Sequence, residues 1–270
     1  MIKVNGEVIN YNNTFPDGTM SLRLNVERNA RSSISWYYES DYEMAVLFYI
    51  TSHLRSANNK IYLYMPYIPN ARMDRVKNPD EIFTLKYFAE FINALHFERV
   101  FVRDPHSNVS CALIDNLTVD SADWFPYSVL SLLKKEGVEP ILYYPDEGAM
   151  KRYSELEMLK DIPYTFGIKK RDWRTGKIEG IMIADMDIVK GKDILIVDDI
   201  CSKGGTFYYS AKALKTAGAN DIYLYVTHCE NTIFKGELIN SDLIKHIYTT
   251  RSVFTLAHEK ITVLKRGEVA

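Results

Sequence analysis

Cysteine is scarce in this chain: Cys111, Cys201 and Cys229 are the three in 270 residues. They are far apart and odd in number, so they suggest neither a disulfide framework nor a CxxC metal motif, and the expected compartment is the reducing cytoplasm. No apolar run approaches the ~18 residues that a membrane-spanning helix requires; the densest patch is the short MAVLFYI at 44–50. The opening MIKVNGEVIN lacks the apolar core of a secretory leader. Neither sign of charge is in excess, because 33 Lys+Arg against 35 Asp+Glu leave −2. That balance argues against a dedicated nucleic-acid binder. No low-complexity segment or long linker interrupts the chain. What is present is 47% hydrophobic and 25% charged residues, enough apolar surface to offset the entropy of ordering and to build a sizeable core. The 19 Tyr and 12 Phe belong mostly to packing.

Short β-branched or aromatic runs alternate with longer runs of helical period, the grammar of an α/β protein with mostly parallel sheets. KIYLYMP (60–66) reads as a strand leading into a Pro-containing loop, TLKYFAEFINAL (84–95) as a helix and ERVFVRD (98–104) as the next strand. SVLSLLKKEG (128–137) reads as a helix closed by Gly137, and PILYYPDEGA (140–149) as strand then turn. DILIVDD (193–199) is a buried strand, CSKGG a turn, TFYYSAKALKTAGA a helix from Thr206, and DIYLYVTH (221–228) another strand. The halves containing 60–104 and 140–228 share one strand–loop–helix–strand plan. Two similar α/β domains are therefore expected, 1–122 and 123–270, divided where TVDSADWFP (118–126) breaks the periodicity; one continuous sheet is the alternative.

The strongest chemical signal is ILIVDDICSKGGTF, 194–207. Ligands of open α/β sheets bind at the carboxyl ends of strands. Asp198 and Asp199 sit at such an end, where paired carboxylates accept hydrogen bonds from vicinal sugar hydroxyls or help hold a divalent cation. Gly204 and Gly205 let the backbone approach a phosphate at a helix N-terminus, and Lys203 adds positive charge. Read without the flanking sequence, the same segment is a tight turn with two solvated acids.

This segment resembles the phosphoribosyl-pyrophosphate-binding loop shared by type I phosphoribosyltransferases and ribose-phosphate pyrophosphokinases. Six further blocks, in order, are similar to the pyrophosphokinases: FPDGT (15–19), MPYIPNARMDRVK (65–77), RDPHSNV (103–109), PDEGAMKR (145–152), IKKRDWR (168–174) and VTHC (226–229). The resemblance implies two phosphoribosyltransferase-like domains and transfer of the diphosphoryl group of ATP to the anomeric hydroxyl of a ribose phosphate, with release of AMP. It implies Mg²⁺ held by His106 and Asp146, and a catalytic loop carrying Lys169, Lys170, Arg171 and Arg174. ATP falls to Phe15, Asp17, Thr19, Arg72, Met73, Asp74 and Arg75. The sugar phosphate falls to Asp198, Asp199, Cys201, Ser202, Lys203, Gly204, Gly205 and Thr206. His228 either touches the sugar phosphate or hydrogen-bonds in the core. Homo-oligomeric assembly is implied as well, with no nucleic-acid or membrane partner.

The chain departs from the family pattern at several of these positions. Thr19 replaces a Glu, Met73 a Gln and Asp172 an Arg, and the usual Asp-Thr-Ala-Gly-Thr is Ser202, Lys203, Gly204, Gly205, Thr206. The added cation suits either a plain 5-phosphate, as in ribose 5-phosphate, or a 5-diphosphate, as in ADP-ribose. A non-catalytic regulatory homologue and a phosphoribosyltransferase are the alternatives from other classes.

Overall fold

The computed structural model describes residues 1–120, 123–171 and 178–265. Packing divides the chain into two units, 1–120 and 121–270.

The first unit carries β1 (Ile2–Val4), β2 (Glu7–Val8), β3 (Arg31–Trp36), α1 (Tyr42–Ser56), β4 (Lys60–Tyr64), α2 (Thr84–Ala94), β5 (Arg99–Arg103), α3 (Asn108–Leu113) and β6 (Leu117–Asp120). Its sheet runs β2-β1-β3-β4-β5-β6. The four strands from β3 to β6 are parallel, and β1 lies antiparallel to both β2 and β3. The β1–β2 hairpin turns on Asn5 and Gly6, both at positive φ (49° and 88°), the Asn-Gly signature of a two-residue turn whose twist matches the strands. In β3 every second residue points inward, which buries Ser32, Ile34 and Trp36. Helix α1 buries Val46, Leu47, Ile50 and Leu54, and α2 buries Leu85, Phe88, Ala89 and Ile92, each at helical spacing.

One acid is drawn into this core. Glu43, fully buried, accepts from Trp36 Nε1 (2.9 Å), the Glu39 backbone N–H (2.8 Å), the Tyr11 hydroxyl (2.5 Å) and the Met1 ammonium. Burial pushes its carboxyl up, but the donors outweigh that and hold it below the usual carboxylate range.

The second unit carries α4 (Trp124–Lys135), β7 (Ile141–Tyr144), α5 (Glu147–Tyr153), β8 (Tyr164–Arg171), β9 (Ile178–Ile183), β10 (Ile194–Cys201), α6 (Gly205–Thr216), β11 (Ile222–Cys229), β12 (His246–Thr250) and β13 (Ile261–Leu264), with a 3₁₀ turn at Asn231–Lys235. Its sheet runs β13-β12-β11-β10-β7-β8-β9, parallel except for β9. Ile194 and Ile196 of β10 join the core under α6, and Leu195 and Val197 join the core with Phe125 and Val129 of α4. Both faces are covered, which is why these strands read as unbroken apolar runs. Among the described residues each unit thus has its own sheet, and no single continuous sheet is formed. The structure also starts α4 at Trp124, four residues before the periodic segment at 128. Pro126 lies in the first helical turn, where its missing N–H has no partner to lose.

Candidate active site

Parallel pairing aligns the functional segments of the second unit along one sheet edge. Ile194–Ile196 of β10 lie beside Ile141–Tyr143 of β7 and, on the other side, β10 runs level with β11 from Ile222 to Cys229. The carboxyl ends therefore bring Asp146, after β7, to the same edge as Asp198–Gly205 and His228–Glu230. Strand β8 runs parallel to β7, with Phe166 level with Tyr144, so Lys169, Lys170 and Arg171 lie further along in the same direction. Arg174 and Asp172 lie outside the described residues, as do the side chains of Lys169–Arg171.

Here the acids are unequal. Asp199 is nearly buried and its Oδ2 accepts from Arg152 Nη1 at 2.9 Å. Asp198 accepts the Asp199 backbone N–H at 2.9 Å. Solvent reaches part of Asp198, yet desolvation first, and then the charge of Asp199, push its carboxyl well above the usual range; Asp146 adds to the rise. Asp146 caps α5, its Oδ1 accepting from the Ala149 N–H at 3.0 Å. The strand of the phosphate segment continues two residues past the acids to Cys201, and α6 begins at Gly205 rather than Thr206. Between them Gly204 takes φ 77°, a conformation open to glycine, with Leu238 where a Cβ would stand.

Ser202 donates to Glu230 Oε2 at 2.6 Å, Thr232 donates to the same atom at 2.9 Å, and the Lys203 side chain is exposed. Cys201 and Cys229 are register partners, both fully buried. A hydrogen bond with Cys229 and then burial raise the Cys201 thiol well above its ordinary pKa. His228 is buried, with Nδ1 2.9 Å from Ser252 Oγ. A structural partner is thus present for this histidine.

In the first unit, the loop holding Arg72–Arg75 follows β4 and the one holding His106 follows β5; these strands are adjacent and parallel, so both loops leave one edge. Arg103 ties that edge together, donating to Tyr64 Oη at 2.7 Å and approaching Asp120 Oδ2 at 3.4 Å. Arg72 and Arg75 are exposed, Met73, Asp74 and His106 half-buried, and Arg75 Nε lies 4.0 Å from Asp74 Oδ1. The FPDGT segment is a tight turn: Phe15 N–H donates to Thr19 O at 2.8 Å and Gly18 N–H to Phe15 O at 2.9 Å. Asp17 Oδ1 accepts from the Thr19 hydroxyl (2.7 Å) and N–H (3.0 Å), which lowers its pKa, and Phe15 is 56% exposed at the tip.

Comparison with known proteins shows what this arrangement is similar to. Residues 149–242 match the phosphoribosyl transferase domain. Ribose-phosphate pyrophosphokinase from Shewanella oneidensis is 29% identical over 261 residues, covering 93% of this chain and 80% of that one. The enzyme of the same name from Sulfolobus acidocaldarius is 28% identical over 247 residues, covering 88% and 82%. The chain is thus similar to ribose-phosphate pyrophosphokinases over most of its length. In fold it is similar to phosphoribosylpyrophosphate synthetase from Mycobacterium smegmatis, with a TM-score of 0.75 over 95% of this chain and 85% of that one at 18% identity. Mostly parallel sheets flanked by helices, in phosphoribosyltransferase-like domains, are the architecture expected from the sequence.

Three residues that the motif reading left unassigned stand at the carboxyl edge of the second unit. Arg152 stands inside the PDEGAMKR block, but its partner Asp199 is 47 residues away. Glu230 and Gly236 lie beyond the VTHC block and reach the loop across β11. Among the described residues no group of three or more His, Cys, Asp or Glu forms a metal cage. Mg²⁺ takes one or two protein oxygens and completes its shell with water and substrate phosphate. The half-buried Asp146, beside Asp198, is a donor of the right hardness. No helix among the described residues is long and apolar enough to cross a membrane.

Proposed function

We propose that the chain transfers the β,γ-diphosphoryl group of ATP to the anomeric hydroxyl of a 5-phosphorylated ribose, with ribose 5-phosphate as first acceptor, giving phosphoribosyl pyrophosphate and AMP. The anomeric oxygen attacks the β-phosphorus, the bond from that phosphorus to the α–β bridging oxygen breaks, and the hydroxyl proton leaves to solvent or base. The observation that carries this reading is the carboxyl edge of the second unit. There two inequivalent acids, one paired with Arg152, adjoin a glycine turn and the N-terminus of α6. Asp198 and Asp199 would accept the ribose hydroxyls; Cys201–Thr206 would cradle the 5-phosphate, with His228 beside it. Lys169, Lys170, Arg171 and Arg174 would neutralise charge on the diphosphoryl group in flight, the usual need of phosphoryl transfer. Phe15, Asp17, Thr19 and the Arg72–Arg75 loop would receive ATP. Mg²⁺ would draw charge from the phosphate oxygens when bound, with Asp146 as its donor in the second unit.

A second acceptor, ADP-ribose, is favoured by the exposed Lys203, whose ammonium can extend beyond a phosphate seated at Gly204. The deciding assay measures AMP release from ATP and Mg²⁺ with ribose 5-phosphate or ADP-ribose. AMP formed only with ribose 5-phosphate, and a tolerated Lys203→Thr, support the first acceptor. Turnover of ADP-ribose whose KM rises by about one to two powers of ten in Lys203→Thr supports the second. No AMP with either acceptor would leave a non-catalytic homologue, and pyrophosphate release from phosphoribosyl pyrophosphate with a nucleobase would mark a phosphoribosyltransferase.

A further inference from the structure

The backbone behind the phosphate loop is contacted along its length by one segment. Glu230 N–H donates to Cys201 O at 2.8 Å, and its Oε2 accepts from Ser202 at 2.6 Å and from Thr232 at 2.9 Å. Six residues on, Gly236 lies so close to Lys203 that a Cβ there would overlap the Lys203 carbonyl oxygen. Two residues further, Leu238 Cδ2 stands 2.6 Å from where a Cβ of Gly204 would be. Gly236 has φ −107° and ψ 173°, extended backbone that alanine adopts freely, so what it supplies is space and not a special conformation.

We infer that Glu230 and Gly236 are positioning residues, and that the segment 230–238 is the template that holds the phosphate loop in its anion-binding conformation. In a trans peptide the carbonyl and the next N–H point to opposite sides. With the Lys203 carbonyl turned onto Gly236, the Gly204 N–H is turned away from the template, toward the open side of the loop where the N-terminal N–H groups of α6 begin. A nest of such N–H groups is an anion site. The Ser202 hydroxyl spends its one proton on Glu230, so in this conformation it anchors the loop and has no proton to give a phosphate. The inference rests on the proposed function only for the identity of the bound sugar phosphate.

The test uses the full chain as Gly236→Ala, Glu230→Gln and Glu230→Ala, each checked for folding by circular dichroism. Inorganic phosphate binding by calorimetry is read beside AMP-release kinetics. Gly236→Ala is expected to raise the KM for the acceptor sugar phosphate about tenfold or more, leaving the KM for ATP within about twofold and kcat within about threefold. Phosphate affinity should fall in parallel. Glu230→Gln keeps a carbonyl oxygen for Ser202 and Thr232 and should stay within about threefold of wild type, whereas Glu230→Ala should lose about tenfold. A merely structural role would move melting temperature, both KM values and kcat together. The inference is overturned by a folded Gly236→Ala with unchanged acceptor KM and phosphate affinity, or by Glu230→Ala behaving as wild type. Should Gly236→Ala not fold, the two Glu230 variants decide. If wild type releases no AMP with any acceptor, the proposed function fails while phosphate binding still judges the template; wild type that binds no phosphate overturns the template itself.

Discussion

Replacing Asp198 by asparagine should make the unliganded protein more stable and less useful. Asp198 is desolvated beside Asp199 and near Asp146, and its carboxyl pKa is raised well above the usual range. A carboxyl that holds its proton more tightly folded than unfolded stabilises the fold below about pH 3.9, the ordinary aspartate value. That contribution disappears as pH climbs through the raised value. By pH 8 the wild type has lost that contribution, a loss that Asp198→Asn avoids, and the amide oxygen can still accept the Asp199 N–H. The gain should be about 0.5–2 kcal/mol, the usual scale when a functional residue is relieved. For the second unit, residues 121–270, that is a rise of about 1–8 °C in Tm at roughly 2–4 °C per kcal/mol. Melting curves from pH 4 to pH 8, without metal or nucleotide, should show the two proteins converging at the acid end and diverging at the other. A ribose hydroxyl that loses a charged acceptor should cost about 1.5–3 kcal/mol, so the acceptor KM should rise about 10- to 150-fold in the AMP assay. A variant less stable than wild type at pH 8, or a gain equally large at pH 4, would refute the reasoning.

Three further outcomes follow from the same structure. Arg152→Ala removes the ion pair of nearly buried Asp199 and should lower stability by about 1–3 kcal/mol in denaturant melts, with Arg152→Lys recovering only part because it lacks the guanidinium fork. Glu43→Gln should lose about 1–3 kcal/mol at pH 7; because the folded carboxyl is held below its ordinary value, the deficit should shrink as pH falls below about 4.3. If Lys170 acts as proposed, Lys170→Ala should lower kcat by about 10²–10³-fold with little change in ATP affinity, because a cation on the transferring group counts chiefly in the transition state; near-normal kcat with a greatly raised KM would make it a binding residue only.

The elements readable from sequence are those whose surroundings impose one period. Strand β10, buried on both faces, and helix α6, with Phe207, Ala211 and Leu214 inward, announce themselves. The first 59 residues were harder. MAVLFYI is the middle of α1, but its exposed Phe48 and Tyr49 hide the helical stripe, and the two-residue β2 is too short to show a period. The edge strands β9 and β13 were also missed, as an edge meets fewer constraints than a centre. At the carboxyl edge of the second unit, each contiguous block could be read from the sequence as a segment. Arg152 with Asp199 and Glu230 with Ser202 were not, because such pairs exist only once β7, β10 and β11 are laid in register.

The buried pair Cys201 and Cys229 gives the protein an internal reporter. A thiol reacts as thiolate, so a solvent-excluded pair sharing a hydrogen bond, with Cys201 raised in pKa, should resist alkylation while β10 and β11 remain joined. Cys111, on α3 of the first unit, is partly exposed and open to reagent in the native state. Counting alkylated thiols by mass over time would therefore separate rapid labelling in one unit from the slow opening of the central strands in the other, with no cysteine introduced. Ligands that clamp the phosphate loop should slow the second phase alone.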